Sequence, residues 1–521
     1  MSSKERSPLC SSEKSLHEKC GIFGIYRQGS MLSQFNTGSR GARALWHRGQ
    51  HGLGFAINTN LGPEKRIRKG TVEEALPIDL RKDYAKRRRK SNWGLFHTRY
   101  GTSGNYDENN LQPIIAKTPD GINFSVIHNG EFAVSRKMRK NIPEKIPRGA
   151  SDTFIVAQTL KYSSGSTPDE KILNMLDKAK GVYSMLIGTD DALFAARDRF
   201  GVRPMVIGKC KDGWVIASET HGLDKLGIRT EREIKRGEIL KIDNDGLHIL
   251  REGSSAQGNF CDLEWAYFSR PESLNPTFEK PDDSDNPQRW LSNLASREKC
   301  GFTLAKERPI NATLVVGVSD SGVAAGTGYA NGMKLPYRQV LLRDHYDQNG
   351  SFRAFMRDEC IEGIPEIVLD KHSLPPDRRI WEDAIVAVVD DSMIRGSTAK
   401  PITKLMFQLG AKEVHWLLVF PKVIFPCHLG VSLRTSKELI AFRNNGNEEA
   451  IAKEIGATSV NYISYEGFIK ARLEFNDLIV PDNPKEIFLA NGGCGGCLTG
   501  LYPISKEGVV YERKQTTPTS A

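Results

Sequence analysis

"AIVAVVDDSMIRGSTAK", residues 384–400, decides the fold of the second half of this chain. Residues 384–389 are all apolar and mostly β-branched, so they read as a strand covered on both faces, as in a parallel sheet. Asp390 and Asp391 follow at its carboxyl end, where open α/β sheets gather ligands. Arg395-Gly396-Ser397-Thr398 then leads into a helix. Gly396 lets the backbone approach closely, Ser397 and Thr398 add hydroxyls, and a helix start offers free N–H groups, which together suit an anion. The G-x-x-x-x-G-K-[ST] spacing of a Walker loop is absent. Paired carboxylates beside such a turn suit ribose hydroxyls and a hard cation, with a 5′-phosphate in the turn. "ATLVVGVSDSG", residues 312–322, repeats the strand–loop–helix pattern, so the second half reads as α/β.

The first half has a different texture. "CGIFGIY" (20–26), "HGLGFAI" (51–57), "NWGLFHTRY" (92–100), "FSVIHNG" (124–130), "GVYSMLIGT" (181–189), "ALFAARD" (192–198), "GWVIASE" (213–219) and "GEILKID" (237–243) read as strands bounded by Gly, Asn or Asp. "SDTFIVAQTLKYS", residues 151–163, reads as a helix capped by Ser151 or Asp152. Many strands with few helices predict an α+β domain. The acidic "EKPDDSDNPQ", residues 279–288, reads as a surface loop or linker.

The chain has 521 residues, too many for one core. Its 39% hydrophobic and 26% charged fractions suit a soluble globular protein. No apolar run approaches the roughly 18 residues that would span a bilayer, and the polar first nineteen residues hold no secretory signal. Nine dispersed cysteines exclude a disulfide scaffold and fit the reducing cytoplasm. Part of the net charge of +10 lies in "AKRRRK", residues 85–90. That run lacks interleaved aromatics and reads as a solvated loop rather than a nucleic-acid site.

"VVDDSMIRGST" (388–398) resembles the phosphoribosyl-pyrophosphate (PRPP) motif of type I phosphoribosyltransferases, and most closely the form in amidophosphoribosyltransferases, the glutamine-dependent enzymes that open purine synthesis. "GVSDSGVAAGTGYA" (317–330) is similar to that family's second motif. In the first half "EKCGIFGIY", "LWHRGQHGLGFAI", "HTRYGTSG", "IHNGEF", "SDTF", "AARDRFGVRPMVIG", "VIASET" and "CDLEWAYFSRPES" follow in family order. The resemblance spans roughly residues 18–505 and implies an α+β N-terminal-nucleophile (αββα) glutaminase domain followed by an α/β type I phosphoribosyltransferase domain. The expected divisions are a propeptide at 1–19, the glutaminase at 20–255, the transferase at 256–505 and a flexible tail at 506–521.

The implied chemistry assigns roles residue by residue. Cys20 attacks the glutamine amide, with its own α-amino group as base, an amine that titrates near pH 8. The Asn129 amide and the Gly130 N–H form the oxyanion hole. Arg99 pairs with the substrate α-carboxylate and Asp152 holds its α-ammonium; read from the residues alone, Asp152 is equally a helix cap. Ammonia passes internally to C1 of PRPP, giving phosphoribosylamine and pyrophosphate. PRPP is expected at Asp320, Ser321, Lys371, Asp390, Asp391, Arg395, Gly396, Ser397 and Thr398, with Mg2+ at Ser321, Asp390 and Asp391. Cys20 can use its own amine only if nothing precedes it, so residues 1–19 are expected to be removed at the Lys19–Cys20 bond.

"GGCGGC" places Cys494 and Cys497 in C-x-x-C spacing, a weak signal alone. With Cys261 and Cys427 they match the ligands of a [4Fe–4S] cluster in the iron–sulfur members of the family. Read from the residues alone, four thiolates suit zinc equally. Cys10, Cys210, Cys300 and Cys360 match no motif. The resemblance also implies purine nucleotides as inhibitors and a homodimer or homotetramer.

The pattern breaks mainly at the loop that closes over PRPP. Here "LLRDHYDQNGSFRAFMRDECIEG", residues 341–363, keeps Tyr346 but loses the family's Arg, Pro and Gln pattern. Trp46 and Phe154 replace a usual Gln and Glu. A second reading is therefore a divergent paralogue with another acceptor, or a PRPP or nucleotide sensor without turnover.

Overall fold

The computed structural model describes all residues except 1–19, 71, 100–110, 134–137, 140–141, 148, 256–257, 277–285, 343–373, 376, 474–477, 507 and 512–521. The expected propeptide, nearly all of the PRPP-closing loop, Lys371 and residues 507 and 512–521 of the tail lie outside the described residues.

The chain divides into two compact units that interleave in sequence. One holds residues 18–296, 425–435 and 469–521; the other holds 297–424 and 436–468. A single cut at 255/256 divides the sequence motifs, whereas packing draws 256–296 and two later segments to the first unit.

The first unit is a sandwich of two antiparallel sheets. β1 (Gly21–Ser30), β2 (Gly52–Ile57), β3 (Glu64–Lys69), β4 (Lys90–Arg99), β9 (Val206–Cys210), β10 (Gly213–Ala217) and β11 (Thr230–Glu233) form a sheet ordered β11-β9-β10-β1-β4-β2-β3. β5 (Ile114–Lys117), β6 (Asn123–Phe132), β7 (Gly181–Gly188), β8 (Leu193–Arg197), β12 (Ile239–Asp243) and β13 (Gly246–Arg251) form the other, ordered β13-β12-β8-β7-β6-β5. The period-two alternation in "GIFGIY" explains the layering. Ile22 and Tyr26 pack inward with Trp93, Leu95, Ile127 and Leu186. Phe23 and Ile25 point outward, onto helix α1 (Met31–Ala44). On the far face Phe124 and Val126 of β6 pack against α3 (Asp152–Lys161) and α4 (Pro168–Lys178). This is the expected αββα fold.

Helix α1 is not among the expected elements: Ser30 caps its start, but Gly38 and Gly41 lower its helix propensity. Their purpose is close approach: a Cβ at Gly38 would sit 1.8 Å from the Phe96 ring, and one at Gly41 2.3 Å from the Phe23 ring. The basic run is also not simply a loop. Its first half ends helix α2 (Ile78–Arg87), where cations oppose the helix dipole, and Arg87 pairs with Glu64 at 2.8 Å and Asp83 at 2.7 Å.

β14 (Leu274–Asn275) and β15 (Leu291–Ser292) pair antiparallel in the first unit, and the second unit holds a four-stranded parallel sheet, ordered β16 (Leu314–Gly317), β17 (Ile385–Asp390), β18 (Glu413–Leu418), β19 (Ser459–Tyr462). Helix α5 (Asn293–Glu307) precedes β16, α6 (Gly322–Met333) follows it and α7 (Ala399–Leu409) follows β17. Val386 and Val388 are fully buried in the same core as Trp381, Ile402, Met406 and Trp416. Asp390 is the last strand residue rather than the first loop residue, which fixes its carboxyl at the sheet edge where α/β ligands gather.

Candidate active sites

In the first unit, strand alternation assembles the expected glutaminase residues. Gly21 pairs with Thr98 across β1 and β4, and the Gly21 N–H donates to Thr98 Oγ1 at 3.1 Å. Cys20, the residue before, therefore lies level with Arg99, the last residue of β4. Ile22 and Leu95 face inward, so two-residue steps put Cys20, His97 and Arg99 on that same inner face. Ile127 of β6 faces inward from the other sheet, which puts Asn129 there too.

Asn129 is 2% exposed and its Nδ2 makes no hydrogen bond. A buried, unmade amide donor is costly at rest and well suited to a charge that forms only during reaction. Gly130 has φ +141°, and a Cβ there would meet the Val182 carbonyl oxygen at 2.0 Å, so only glycine fits.

Asp152 is placed differently. It opens α3, but Ser151 is the cap, accepting from the Phe154 N–H. Asp152 Oδ2 accepts from the Phe132 N–H at 3.1 Å and lies 3.2 Å from His128 Nε2. Burial opposes its ionisation, yet His128 and the Phe132 and Thr153 amides outweigh burial and hold its carboxyl below the usual range. His128 in turn meets Thr153 Oγ1 at 2.9 Å and Gln112 Nε2 at 3.4 Å through Nδ1. The structure thus ties Asp152 to the end of β6 through His128, a residue that sequence reading passed over. His97, fully buried on the inner face, is kept well below its ordinary pKa by burial and the nearby Arg99 charge.

The quoted motifs without an expected role meet in a buried ion network. Arg48, fully buried, donates to Glu219 at 3.0 Å, Glu264 at 2.9 Å and Ser269 at 3.1 Å. Burial works against Glu219, but Arg48 and His47 hold it well below the usual range. Three segments far apart in sequence are joined by charges that would be costly to bury alone.

The four expected ligand cysteines also come together. Cys261, Cys427, Cys494 and Cys497 line one cavity of about 20 Å³ with Arg203, Asp262 and Tyr502. Burial pushes the Cys427 thiol up, and burial with neighbouring thiols pushes Cys494 and Cys497 well up. Arg203 is fully buried; its Nε and Nη1 make no hydrogen bond, and Nη1 pairs with Glu264 at 4.0 Å. Among the described residues no three His, Cys, Asp or Glu side chains stand in the geometry of a formed metal site. The cysteines share walls rather than converged sulfurs. A cation that ionises the thiols suits this donor set, with Arg203 offsetting thiolate charge.

In the second unit Ser321 Oγ donates to Asp390 Oδ1 at 3.2 Å, and the Asp391 N–H donates to the same oxygen at 2.9 Å. Ser392 Oγ donates to Asp391 Oδ2 at 2.5 Å. Burial, then repulsion from Asp391, raises Asp390 well above the carboxylate range; burial also raises Asp391. Gly396 has φ +81°, and a Cβ there would sit 2.7 Å from Ile440. Ser397 and Thr398 follow in the turn before α7, and the Thr398 side chain makes no capping bond. Asp320 stands beside Ser321 in the loop between β16 and α6. The Arg395 guanidinium pairs with Glu438.

Residues 97–225 match the family model "Glutamine amidotransferase domain". The chain is 32% identical to the human amidophosphoribosyltransferase over 95% of this chain and 99% of that one. It is 33% identical to the Methanocaldococcus jannaschii amidophosphoribosyltransferase over 93% of this chain and 97% of that one. The chain belongs to the amidophosphoribosyltransferase family. It is an enzyme that carries a glutamine amidotransferase domain. A solved glutamine PRPP amidotransferase from B. subtilis, complexed with ADP and GMP, superposes with a TM-score of 0.76 at 28% identity, covering 93% of this amidophosphoribosyltransferase-family chain and 97% of that one. A structure described as the allosteric regulatory enzyme of purine biosynthesis gives 0.77 at 28% identity, covering 94% and 98%. Among the described residues no helix is long and apolar enough to cross a membrane.

Proposed function

We propose that this protein makes 5-phosphoribosylamine from PRPP and glutamine, the first committed step of de novo purine synthesis. The observation that carries this reading is the pairing, in one chain, of Cys20 and Arg99 on one inner sheet face and Asn129 on the inner face of the other sheet with Asp390 and Asp391 at the end of a parallel strand. Residues 20–255 carry the glutaminase chemistry and 256–505 the transfer.

Cys20 attacks the glutamine amide carbon once residues 1–19 are removed and its α-amino group is free to take the thiol proton. The developing oxyanion accepts from Asn129 Nδ2 and the Gly130 N–H. Arg99 binds the α-carboxylate, and Asp152, kept ionised by His128, holds the α-ammonium. The Cys20 α-ammonium returns the proton to the departing ammonia, water then hydrolyses the glutamyl thioester to glutamate and free Cys20, and the ammonia attacks C1 of PRPP with loss of pyrophosphate. Asp390 and Asp391 accept from the ribose hydroxyls, Ser321 orients Asp390, and Asp320 and the Arg395–Thr398 turn receive the phosphates, with Lys371 as a further contact. Mg2+ held by Ser321, Asp390 and Asp391 supplies charge neutralisation for departing pyrophosphate. It also accounts for two buried carboxylates that repel each other when alone.

Cys261, Cys427, Cys494 and Cys497 would hold a [4Fe–4S] cluster whose role is structural or oxygen-sensitive rather than catalytic, and the buried Arg203 charge beside the four thiols supports a polyanionic occupant. Purine nucleotides inhibit, as the ADP and GMP complex of the B. subtilis relative suggests. The enzyme works in the cytoplasm as a homodimer or homotetramer. Incubating anaerobically purified, processed protein with glutamine and PRPP tests the reading. Glutamate, pyrophosphate and phosphoribosylamine in equal amounts support it; glutamate without pyrophosphate refutes it.

A further inference from the structure

The turn that carries Cys427 runs directly against the strand that carries the proposed oxyanion donors. Leu429 N–H donates to Cys427 Sγ at 3.3 Å, and Leu429 O accepts from Arg203 Nη2 at 2.6 Å. Gly430 follows with φ +92°. A Cβ on Gly430 would sit 3.0 Å from the Gly130 carbonyl carbon, 3.0 Å from its oxygen and 3.0 Å from Arg203 Nη2. On its other side Gly130 is held against Val182, whose oxygen would meet a Gly130 Cβ at 2.0 Å. Gly130 is thus in close contact with a β7 carbonyl at its Cα and with residue 430 at its carbonyl. Both glycines adopt conformations that other residues enter only with strain.

We infer that Gly430, held by the Arg203–Leu429 hydrogen bond, is a positioning residue for the glutaminase: it packs on the Gly130 carbonyl, which is joined through Cα to the donating Gly130 N–H, and so fixes the backbone that aims the oxyanion donors. The inference rests on the reading of Asn129 and Gly130 as those donors. Its chemistry is plain. An oxyanion donor works only when held within a few tenths of an ångström of the position the charge will occupy, and a misplacement of about 1 Å costs about a hundredfold in rate. Ground-state glutamine, held by Arg99 and Asp152, does not depend on that aim. A side chain at 430 meets the Gly130 carbonyl and Arg203 Nη2 at the same 3.0 Å, so it displaces either the carbonyl itself or the guanidinium that holds the turn through Leu429. The same turn makes Cys427 and Gly130 near neighbours, so whatever fixes Cys427 also fixes the oxyanion strand.

The test uses full-length processed protein with Gly430→Ala, Arg203→Lys and Asn129→Ala. Glutamine hydrolysis gives kcat and KM, and ammonia-dependent transfer to PRPP is measured on the same samples. The expected result for Gly430→Ala is a kcat for glutamine lower by about 10- to 100-fold, with KM within about twofold and ammonia-dependent transfer unchanged. Arg203→Lys, which loses the Leu429 bond but keeps the charge, shows the same split to a smaller degree. Unchanged kcat in Gly430→Ala, alongside a large loss in Asn129→Ala, overturns the inference and leaves the oxyanion reading standing. Unchanged kcat in Asn129→Ala overturns the oxyanion reading itself. Loss of both activities in both Gly430→Ala and Arg203→Lys also overturns the inference, because the turn then serves only folding.

Discussion

Replacing Asn129 with Ala separates catalysis from stability in a way few core substitutions do. Asn129 is 2% exposed, yet its Nδ2 donates to nothing. A typical buried amide repays its burial with hydrogen bonds, and deleting it costs about 1–3 kcal/mol through its stranded partners. Here no partner of Nδ2 is stranded. The resting protein instead carries an unmade donor whose desolvation already costs about 1–3 kcal/mol. Removing the amide relieves that cost while opening a small cavity, and the two terms nearly cancel. The folded state should therefore change by less than about 1 kcal/mol. The transition state loses a donor to its oxyanion, which costs about 2.7–4 kcal/mol, or a 10²–10³-fold fall in kcat. Glutamate release at saturating glutamine measures the second quantity, and urea unfolding followed by circular dichroism measures the first. The reasoning is refuted if kcat stays within about threefold of the parent. It is equally refuted if the kcat loss comes with more than about 2 kcal/mol of destabilisation, since Asn129 would then be an ordinary structural amide.

Three further outcomes follow from the same geometry. Asp390→Asn should abolish PRPP transfer yet stabilise the ligand-free protein at pH 7 by about 1–2 kcal/mol, because it removes a repelling buried charge. For the parent, both carboxyls are raised in the folded state, so stability contributed by the pair falls as pH rises from about 4 through their folded pKa values; thermal unfolding across that range checks the sign. Asp152→Asn should raise KM for glutamine by about 10²-fold with a smaller change in kcat, and should remove stability that the parent holds above the usual carboxylate range and loses as pH falls through the depressed folded pKa. Cys494→Ser should eliminate iron and sulfide from anaerobically purified protein; full retention of both would show that the cavity is not the metal site.

Local pattern carried much of this fold. "GIFGIY" and "NWGLFHT" read as strands, their inner and outer faces emerging only from packing, and "AIVAVVDD" marks a parallel strand with its ligand end. Helix α1 escaped because Gly38 and Gly41 lower helix propensity for the sake of packing on Phe96 and Phe23. The His128–Asp152 pair escaped because His128 lies on the opposite face of β6 from Asn129, so no spacing rule links it to Asp152. Arg48, Glu219 and Glu264 stood in quoted motifs, but only the fold reveals that they neutralise one another. The interleaving of residues 425–435 and 469–521 with the first unit depends on non-local packing, which no window of sequence records. The cysteines were grouped by resemblance to a family, and their common cavity is a property of that interleaving.

The central claim is that one chain carries two chemically separate sites, one releasing ammonia and one consuming it. Cys20→Ala, assayed for phosphoribosylamine with glutamine and then with ammonium chloride, tests it most directly. The account predicts no product from glutamine and a rate from ammonia within about twofold of the parent. Product from glutamine at the parental rate, or loss of the ammonia-dependent reaction together with the glutamine-dependent one, would contradict it.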